Sequence, residues 1–313
     1  MIIDVHYHLS PFPIEYEDLL GRMGEQSRLA KAAKIKIDEE TLTRRAAERY
    51  PDETGEKIIK WMEESGIDFT CVNTVDNVDN EVMTEEIAQM VNKSIADIAN
   101  KYPDRLMAFA GIDPRRKNAL DMLKQCFEEY EMKGLKYHCD SGYDPTSPES
   151  IKILKYLEKK GGILLTHTGP LGPPAQCKYT EPILLSEVSN KLPNLKIIGA
   201  HMGSPPRWRE WAALAAFYPN LYGDMAMWQA YAFGKYELFC RELRDLIDYA
   251  GLEKVMFASD GPVYDIIIPT KNYIQLIKNL PKDAPKGIKF TEDEVEAILG
   301  NNAAKLLGIS KRQ

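Results

Sequence analysis

The sequence predicts a distorted (β/α)₈ barrel, or TIM barrel, with a helical insertion after the first strand. Two patterns indicate this fold. Short apolar, β-branched runs alternate with amphipathic helical stretches along the chain, and all five histidines come at the ends of such runs. In barrels of this kind the functional side chains lie at the carboxyl ends of several strands, where the loops converge on one pocket. The histidines therefore indicate a site at the mouth of a barrel.

The predicted strands are apolar runs bounded by turn signals. They cover residues 2–6, 68–74, 106–111, 133–138, 163–167, 195–200, 220–224 and 254–259. The predicted helices lie between them, at 84–101, 117–131, 149–160, 182–191, 205–217, 235–250 and 270–279. Eight βα units in succession close a parallel barrel, so we expect a single domain over residues 1–313.

Caps support these boundaries. Thr84 precedes two glutamates, and Thr291 has Glu294 three residues later, which is the spacing of a capping box. Glycines such as Gly66 fall between a helix and the next strand, where a helix end favours a positive φ.

Residues 14–65 exceed what a minimal barrel needs between its first two strands. The segment is highly charged and helix-prone, and it leaves from the end of strand one, which places it at the mouth of the barrel. We expect a homodimer or higher homo-oligomer. The segment could provide a contact in that assembly, serve as a lid, or form a solvated helical excursion. The pattern leaves these alternatives open.

The composition excludes several classes of partner. A hydrophobic fraction of 44% and a charged fraction of 28% are ordinary for a globular protein. The net charge of -7 argues against nucleic acid and anionic membranes, which are bound through clustered Lys and Arg, and favours a small-molecule partner.

The first residues enter a strand that carries Asp4, and no apolar run approaches the ~18 residues of a membrane span. Together with five dispersed cysteines lacking a C-x-x-C pair, this predicts a cytoplasmic protein.

His6 and His8 are two residues apart on a predicted strand, so their side chains share one face. Two imidazoles converging from one strand are poor core residues and good metal ligands. His167 and Asp260 provide an imidazole and a carboxylate at the ends of later strands. Zinc takes such ligands while keeping a position open for water, so these four residues predict a catalytic metal site, with Asp260 as a longer fourth ligand. Alternatively, Asp260 could only cap the turn that follows it.

His201 lies at the end of the next strand after His167 and is assigned to substrate polarisation and proton transfer. Lys136 and His138 alternate on strand four and should both face inward. Substrate-binding candidates also follow strands six, seven and eight, where a guanidinium and two aromatic side chains could bind a carboxylate and a planar group. These are Arg207, Trp228 and Tyr264. Arg207 could equally be a solvated residue at the start of a helix.

Four motifs, in this order along the chain, carry a family resemblance. They are Asp4–His8, Thr166–Gly169, Ala200–Gly203 and Ala258–Pro262. The chain resembles the amidohydrolase superfamily, and most closely the amidohydrolase-related branch that includes aminocarboxymuconate semialdehyde decarboxylase. One departure is Met202-Gly203-Ser204-Pro205, where the family often has a second glycine.

The resemblance implies a divalent metal, most often one Zn²⁺ with Mn²⁺ or Fe²⁺ as alternatives, held by His6, His8, His167 and Asp260. It implies His201 as the adjacent catalytic histidine. In binuclear members of the superfamily a strand-four lysine is carboxylated to bridge two metals; in this branch the lysine, here Lys136, is more often unmodified.

We expect a metal-dependent hydrolase that acts on a small, carboxylated or cyclic substrate such as a lactone or amide. Asp260 would take a proton from the metal-activated water, and His201 would stabilise the oxyanion. The alternative is a metal-dependent, non-oxidative decarboxylase, or a related lyase. Some aromatic-acid decarboxylases of the branch carry a glutamate where this chain has His6, and this difference favours the hydrolase.

Overall fold

The computed structural model describes residues 1–12 and 26–310. Within them eight strands form one sheet in sequence order, β1-β2-β3-β4-β5-β6-β7-β8. The strands are β1 (Ile3–His8), β2 (Phe69–Asn73), β3 (Leu106–Gly111), β4 (Gly134–Tyr137), β5 (Ile163–His167), β6 (Lys196–Ala200), β7 (Leu221–Asp224) and β8 (Val255–Met256). Consecutive strands from β3 to β7 pair in parallel, with Gly134 opposite Ile163 and Thr166 opposite Gly199.

Helices separate the strands. They are α1 (Glu39–Arg49), α2 (Glu56–Ser65), α3 (Glu85–Lys101), α4 (Ala119–Glu128), α5 (Pro148–Lys159), α6 (Leu184–Lys191), α7 (Ser204–Phe217), α8 (Gln229–Gly234), α9 (Tyr236–Ala250), α10 (Thr270–Lys278), α11 (Leu280–Asp283), α12 (Glu292–Glu296) and α13 (Asn302–Leu307). A π-helical turn over Ala297–Asn301 joins the last two. The alternation and the strand order confirm the predicted (β/α)₈ barrel.

The predicted caps are also confirmed. The Thr84 hydroxyl accepts a hydrogen bond from the Ile87 amide at the start of α3, and Thr291 and Glu294 form the capping box of α12. Gly66 ends α2 with a φ of +72°, a conformation that costs glycine little.

Two strand boundaries differ from the prediction in ways that matter for the site. β1 continues to His8, so His6 and His8 lie on one strand. β8 comprises only two residues, where residues 254–259 were predicted. The chain beyond β8 instead bends toward Asp260, whose φ of +52° is incompatible with a strand. Hydrogen bonds from Val5 to Phe257 and from His8 to Gly261 keep this segment beside β1.

The chain divides into two compact units, Met1–Thr70 with Met225–Gln313, and Cys71–Asp224. The first contains β1, β8 and the helices α1, α2 and α8 to α13. The second contains β3 to β7 and the helices α3 to α7. One domain over residues 1–313 stays a prediction.

The predicted insertion forms α1 and α2, and its residues 14–25 lie outside the described residues. The side chain of Asp38 caps α1 by accepting a hydrogen bond from the Thr41 amide. Leu42 and Ala46 on α1 are fully buried in a cluster with the Ile266–Ile268 segment. The Arg45 guanidinium donates a hydrogen bond to the Ile266 carbonyl at 2.8 Å. The described part of the insertion is therefore packed against the segment that follows Asp260, and α1 is not a wholly solvated excursion.

In residues 1–12 and 26–310, the helices are all too short or too polar to cross a lipid bilayer.

Candidate functional site

β1 presents His6 and His8 on one face because side chains alternate along a strand. Tyr7, between them, points to the other face, where its ring lies 4.7 Å from that of Trp61. His6 is fully buried, whereas the side chain of His8 keeps 20% of its surface exposed. The two Nε2 atoms lie 3.0 Å apart.

Asp260 completes this group. Its amide donates a hydrogen bond to the His6 carbonyl at 3.0 Å, which places the residue directly beside β1. Its Oδ1 atom lies 3.5 Å from Nε2 of His6 and 3.3 Å from Nε2 of His8. Three potential ligand atoms from two chain segments thus converge on one point.

The spacing of these three atoms fits a divalent metal ion. Nitrogen and oxygen ligands about 2.0–2.1 Å from a tetrahedral metal lie roughly 3.3 Å from one another. The observed separations of 3.0, 3.3 and 3.5 Å bracket that value. Imidazole and carboxylate are also donors that zinc and manganese accept. His6, His8 and Asp260 therefore form a candidate site for a divalent metal.

The second unit carries three histidines whose rings contact one another, His138, His167 and His201. His167, at the end of β5, is buried, and its ring stacks on that of His138 with a centroid distance of 5.1 Å. Its Nδ1 atom lies 3.0 Å from Nε2 of His201. Its Nε2 atom lies 3.1 Å from the Gly169 carbonyl oxygen, which can only accept a hydrogen bond. The proton of a neutral His167 therefore belongs on Nε2, and Nδ1 keeps the lone pair.

Burial lowers the pKa of His167 well below its usual range, and the neighbouring His201 and His138 lower it further. The imidazole is therefore neutral near pH 7. A neutral imidazole can ligate a metal, which is the role that the sequence predicts for this position.

His201 follows β6 in a turn with unusual backbone geometry. His201, Met202 and Ser204 have φ values of +66°, +50° and +56°, in the left-handed region that non-glycine residues rarely adopt. The His201 amide donates a hydrogen bond to Oδ1 of Asp224 at 2.9 Å. This bond fixes the start of the turn and places the imidazole of His201 beside His167.

His138 forms an ion pair through Nδ1 with the carboxylate of Asp140, two residues later. Burial opposes ionisation of Asp140, but the charge and hydrogen bond of His138 outweigh it, and the pKa of Asp140 lies below its usual range. Lys136, two residues before His138 on β4, is only 2% exposed. This burial is compatible with the predicted inward placement of Lys136, which stays a prediction.

The three remaining substrate-binding candidates lie in different surroundings. Arg207 is 43% exposed at its side chain and forms an ion pair with Glu181. Trp228 is fully buried, with its ring edge-on to Phe239 at 6.4 Å, as in a packed core. Tyr264 is buried on the turn that follows Asp260, where its amide contacts the Asp260 carbonyl at 3.5 Å. Substrate binding by these three residues stays a prediction.

Sequence reasoning missed two carboxylates of the histidine cluster, Asp140 and Asp224. Asp224 ends β7, and an acid at the end of an apolar strand is the same signal that indicated Asp260. Asp140 follows His138 by two residues, a spacing that carries no strong signal before the local turn is known.

The family model described as amidohydrolase, Amidohydro_2, matches residues 3–309. The chain belongs to this amidohydrolase family. The match confirms the superfamily that the four motifs indicated, and with it the predicted class of metal-dependent hydrolases and carboxy-lyases. No curated protein sequence matches the amidohydrolase significantly.

Solved structures share the fold over nearly the whole chain. An uncharacterized TIM-barrel protein from Bordetella bronchiseptica has a TM-score of 0.71 at 20% identity and covers 99% of both chains. A dihydroxybenzoic acid decarboxylase from Polaromonas sp. JS666, with bound manganese and the inhibitor 2-nitroresorcinol, has a TM-score of 0.68 at 17% identity, covering 99% of this chain and 98% of its own. A 5-carboxyvanillate decarboxylase from Novosphingobium aromaticivorans, complexed with manganese and 4-hydroxy-3-methoxy-5-nitrobenzoic acid, has a TM-score of 0.67 at 15% identity, covering 98% and 96%. At these identities the likeness establishes the fold.

Proposed function

We propose that this amidohydrolase is a divalent-metal-dependent, non-oxidative decarboxylase of a small carboxylic acid. The observation that carries the proposal is a His-His-Asp cluster that could hold a metal, in a fold shared end to end with two decarboxylases whose structures contain manganese. Hydrolysis, which the sequence favoured, is not confirmed. The ligands of the two decarboxylases are substituted aromatic rings, which supports an aromatic or enolic acid as the substrate.

In this proposal the metal is held by His6, His8 and Asp260. His167, at the end of β5, joins as a further ligand because of its place in the family's order of motifs. Its ligand atom would be Nδ1, which keeps the lone pair while Nε2 bonds the Gly169 carbonyl. When bound, the metal would act as a Lewis acid toward the carboxylate and a neighbouring oxygen of the substrate. Mn²⁺ is favoured by the two decarboxylases, while Zn²⁺ stays the prediction of the sequence.

The residues of the chain would then manage the substrate and one proton. The carbon–carbon bond to the carboxylate breaks, CO₂ leaves, and the electron pair stays on the ring or enol carbon. His201 would donate a proton to that carbon, and solvent would replace it. The position of His201 beside His167, a proposed ligand, supports this role, because it places the His201 imidazole next to the proposed metal site. Lys136 and His138 would bind the anionic substrate.

Hydrolysis is the second candidate, and the intact His6-Tyr7-His8 sequence favours it. Some aromatic-acid decarboxylases of the branch carry a glutamate at the first of these positions. In a hydrolase Asp260 would accept the proton of the attacking water and pass it to the leaving group.

Isotope labelling distinguishes the two reactions. The protein loaded with Mn²⁺ or Zn²⁺ is incubated with a panel of hydroxybenzoates, lactones and amides. A decarboxylase releases one CO₂ per turnover and, in D₂O, leaves one deuterium at the vacated carbon. Label from H₂¹⁸O in a new carboxylate, with no CO₂, would instead establish hydrolysis.

A pair of variants shows whether the activity belongs to this site. Asp260→Asn should lower turnover by on the order of 10²-fold or more. Asp52→Asn should not, although Asp52 is also buried, because its side-chain hydrogen bonds within the described residues go to the amides of Gly55 and Ile58 at the start of α2. Unchanged activity in Asp260→Asn would place the reaction elsewhere.

A homo-oligomer and a cytoplasmic location stay predictions. Sedimentation equilibrium tests the first, and fractionation of the source cells tests the second. The unmodified state of Lys136, which is more frequent in this branch, also stays a prediction, and intact mass spectrometry at neutral pH, where an added CO₂ would be retained, tests it.

A further inference from the structure

The turn Ser259-Asp260-Gly261 has a conformation that it would not adopt by itself. Asp260 has a φ of +52°, in the left-handed region where a residue with a side chain is strained. Such a conformation persists only where surrounding contacts hold it. The contacts that hold this turn therefore decide where the Asp260 carboxylate lies.

Asp4 makes two of these contacts. It is fully buried on β1, two residues before His6. Its Oδ2 atom accepts a hydrogen bond from the Ser259 hydroxyl at 2.5 Å, and its Oδ1 atom accepts one from the Ser259 amide at 3.0 Å. Oδ1 also accepts a hydrogen bond from the His6 amide at 3.1 Å. The Asp4 carboxylate thus bonds the backbone of His6, which is a proposed ligand, and also Ser259, which precedes the proposed ligand Asp260.

The Ser259 hydroxyl extends this connection across the turn. While it donates to Asp4, it accepts a hydrogen bond from the Gly261 amide at 2.9 Å. Both neighbours of Asp260 are therefore tied, directly or through one hydroxyl, to Asp4. On the opposite side, the Gln229 amide group donates to the Ser259 carbonyl at 2.7 Å.

We propose that Asp4 is a positioning residue for the metal site, which acts through Ser259 to hold the Asp260 carboxylate opposite His6 and His8. The inference rests on the proposed function, because it takes these three side chains as the metal ligands. Asp4 is 0% exposed and forms no part of the ligand set. Its contribution is to keep the ligand atoms at the separations that a metal requires.

A purely structural carboxylate would behave differently. Removing it would lower the stability of the fold without changing how the folded protein binds metal. A positioning carboxylate affects metal affinity and coordination geometry even in molecules that remain folded. Metal binding therefore separates the two roles without knowledge of the substrate.

The experiment measures the dissociation constant of Mn²⁺ and Zn²⁺, by competition with a chelating dye, for the full-length chain and three variants. Ser259→Ala removes the bridging hydroxyl, Asp4→Asn removes the charge, and Asp52→Asn is a control for the loss of a buried charge elsewhere. The absorption spectrum of the Co²⁺-loaded proteins reports the coordination geometry. Circular dichroism of the metal-free proteins shows which variants fold.

We expect Ser259→Ala and Asp4→Asn to weaken metal binding by about 10-fold to 100-fold, with an altered Co²⁺ spectrum. The double variant should lose less than the product of the two single effects, because both act through one contact. Asp52→Asn should keep the metal affinity of the unaltered chain. Should Asp4→Asn not fold, Ser259→Ala decides the question, since it removes only one oxygen atom.

Two negative results differ in meaning. If the unaltered chain binds none of these metals, the proposed metal site is wrong and the positioning role falls with it. If the unaltered chain binds metal and the folded Ser259→Ala variant binds it equally well with the same Co²⁺ spectrum, only the positioning role is wrong.

Discussion

Strained backbone conformations coincide with the proposed site at the residue scale. Among the described residues other than glycine, seven have a positive φ, and they include His201, Met202, Ser204 and Asp260. Each left-handed conformation of this kind costs about 1–3 kcal/mol, so it persists only where other contacts compensate. Hydrogen bonds from His201 to Asp224 and from Asp260 to the His6 carbonyl provide that compensation. The strain therefore sets the direction of the functional side chains.

His167→Ala should lower the metal content from about one ion per chain. The substitution removes a proposed ligand, while the residues beneath the site keep the barrel folded. Elemental analysis after gel filtration measures the change. His138→Ala is the matched control, because His138 stacks on His167 and is not a proposed ligand. Equal metal content in both variants would remove His167 from the ligand set.

Asp260→Asn should lower kcat by on the order of 10²-fold or more, because an amide replaces the charged ligand and, in a hydrolase, could not accept the proton of the attacking water. KM should change less, since substrate contacts lie on other residues. Steady-state kinetics on an identified substrate test this. Near-normal turnover at saturating metal would make Asp260 a structural residue.

The ion pair of Asp140 with His138 predicts a dependence of stability on pH. The pKa of Asp140 is lower in the folded protein than in the unfolded chain, so its contribution to stability is present above the unfolded value and is lost as the pH falls through the folded value. With an unfolded pKa of about 3.9, the loss begins near pH 4 and continues below it. Asp140→Asn should have a lower Tm than the unaltered protein at pH 6, and the difference should shrink in this acidic range. A constant difference, measured by calorimetry without metal, would contradict this.

Helix α1 is the element that most clearly links the insertion to the site. Its buried residues pack on Ile266–Ile268, a few positions beyond Asp260, and Asp265 lies 3.5 Å from the Arg49 guanidinium. A lid that moved freely would not bury an apolar face of this kind. The helix and the segment 263–268 should therefore open together.

Leu42→Ala tests this coupling. The substitution leaves a cavity in the cluster and should cost about 2–5 kcal/mol locally. Amide hydrogen exchange should accelerate in residues 26–50 and 263–268 together, with little change in β5 and β6. Leu154→Ala, an equally buried leucine on α5, is the control and should accelerate exchange around α5 instead. If hydrogen exchange accelerated in only one of the two segments, the segments would not open together.

At the scale of the whole molecule, the metal should act as a stabilising ligand. Any ion that binds only the folded chain adds about 2.7 kcal/mol at a concentration 100 times its Kd. Treatment with a chelator should lower the Tm by several degrees, and Mn²⁺ or Zn²⁺ should restore it. His8→Ala should show no such response. A Tm that is insensitive to metal in the unaltered protein would argue against a folded-state site.

The sequence by itself determined the architecture and indicated the candidate site residues. Hydrophobic periodicity is local, because a strand that is buried on both faces must be apolar over its own length. This is why β5 was placed correctly from residues 163–167 and why the order of eight strands followed. The two-residue spacing of His6 and His8 likewise fixed their common face. Asp260 was found because it is an acid at the end of an apolar run.

Only the tertiary structure decided how these residues are held. The link from Asp4 to Ser259 joins positions 255 residues apart, so no local pattern predicts it. The same holds for the packing of α1 on Ile266–Ile268 and for the bond from Asp224 to the His201 amide. The early end of β8 at Met256, four residues before Asp260 enters the left-handed region, was likewise not predicted. Local periodicity specifies the elements, whereas the positions of the functional atoms depend on hydrogen bonds between distant segments, which form only when the chain has folded.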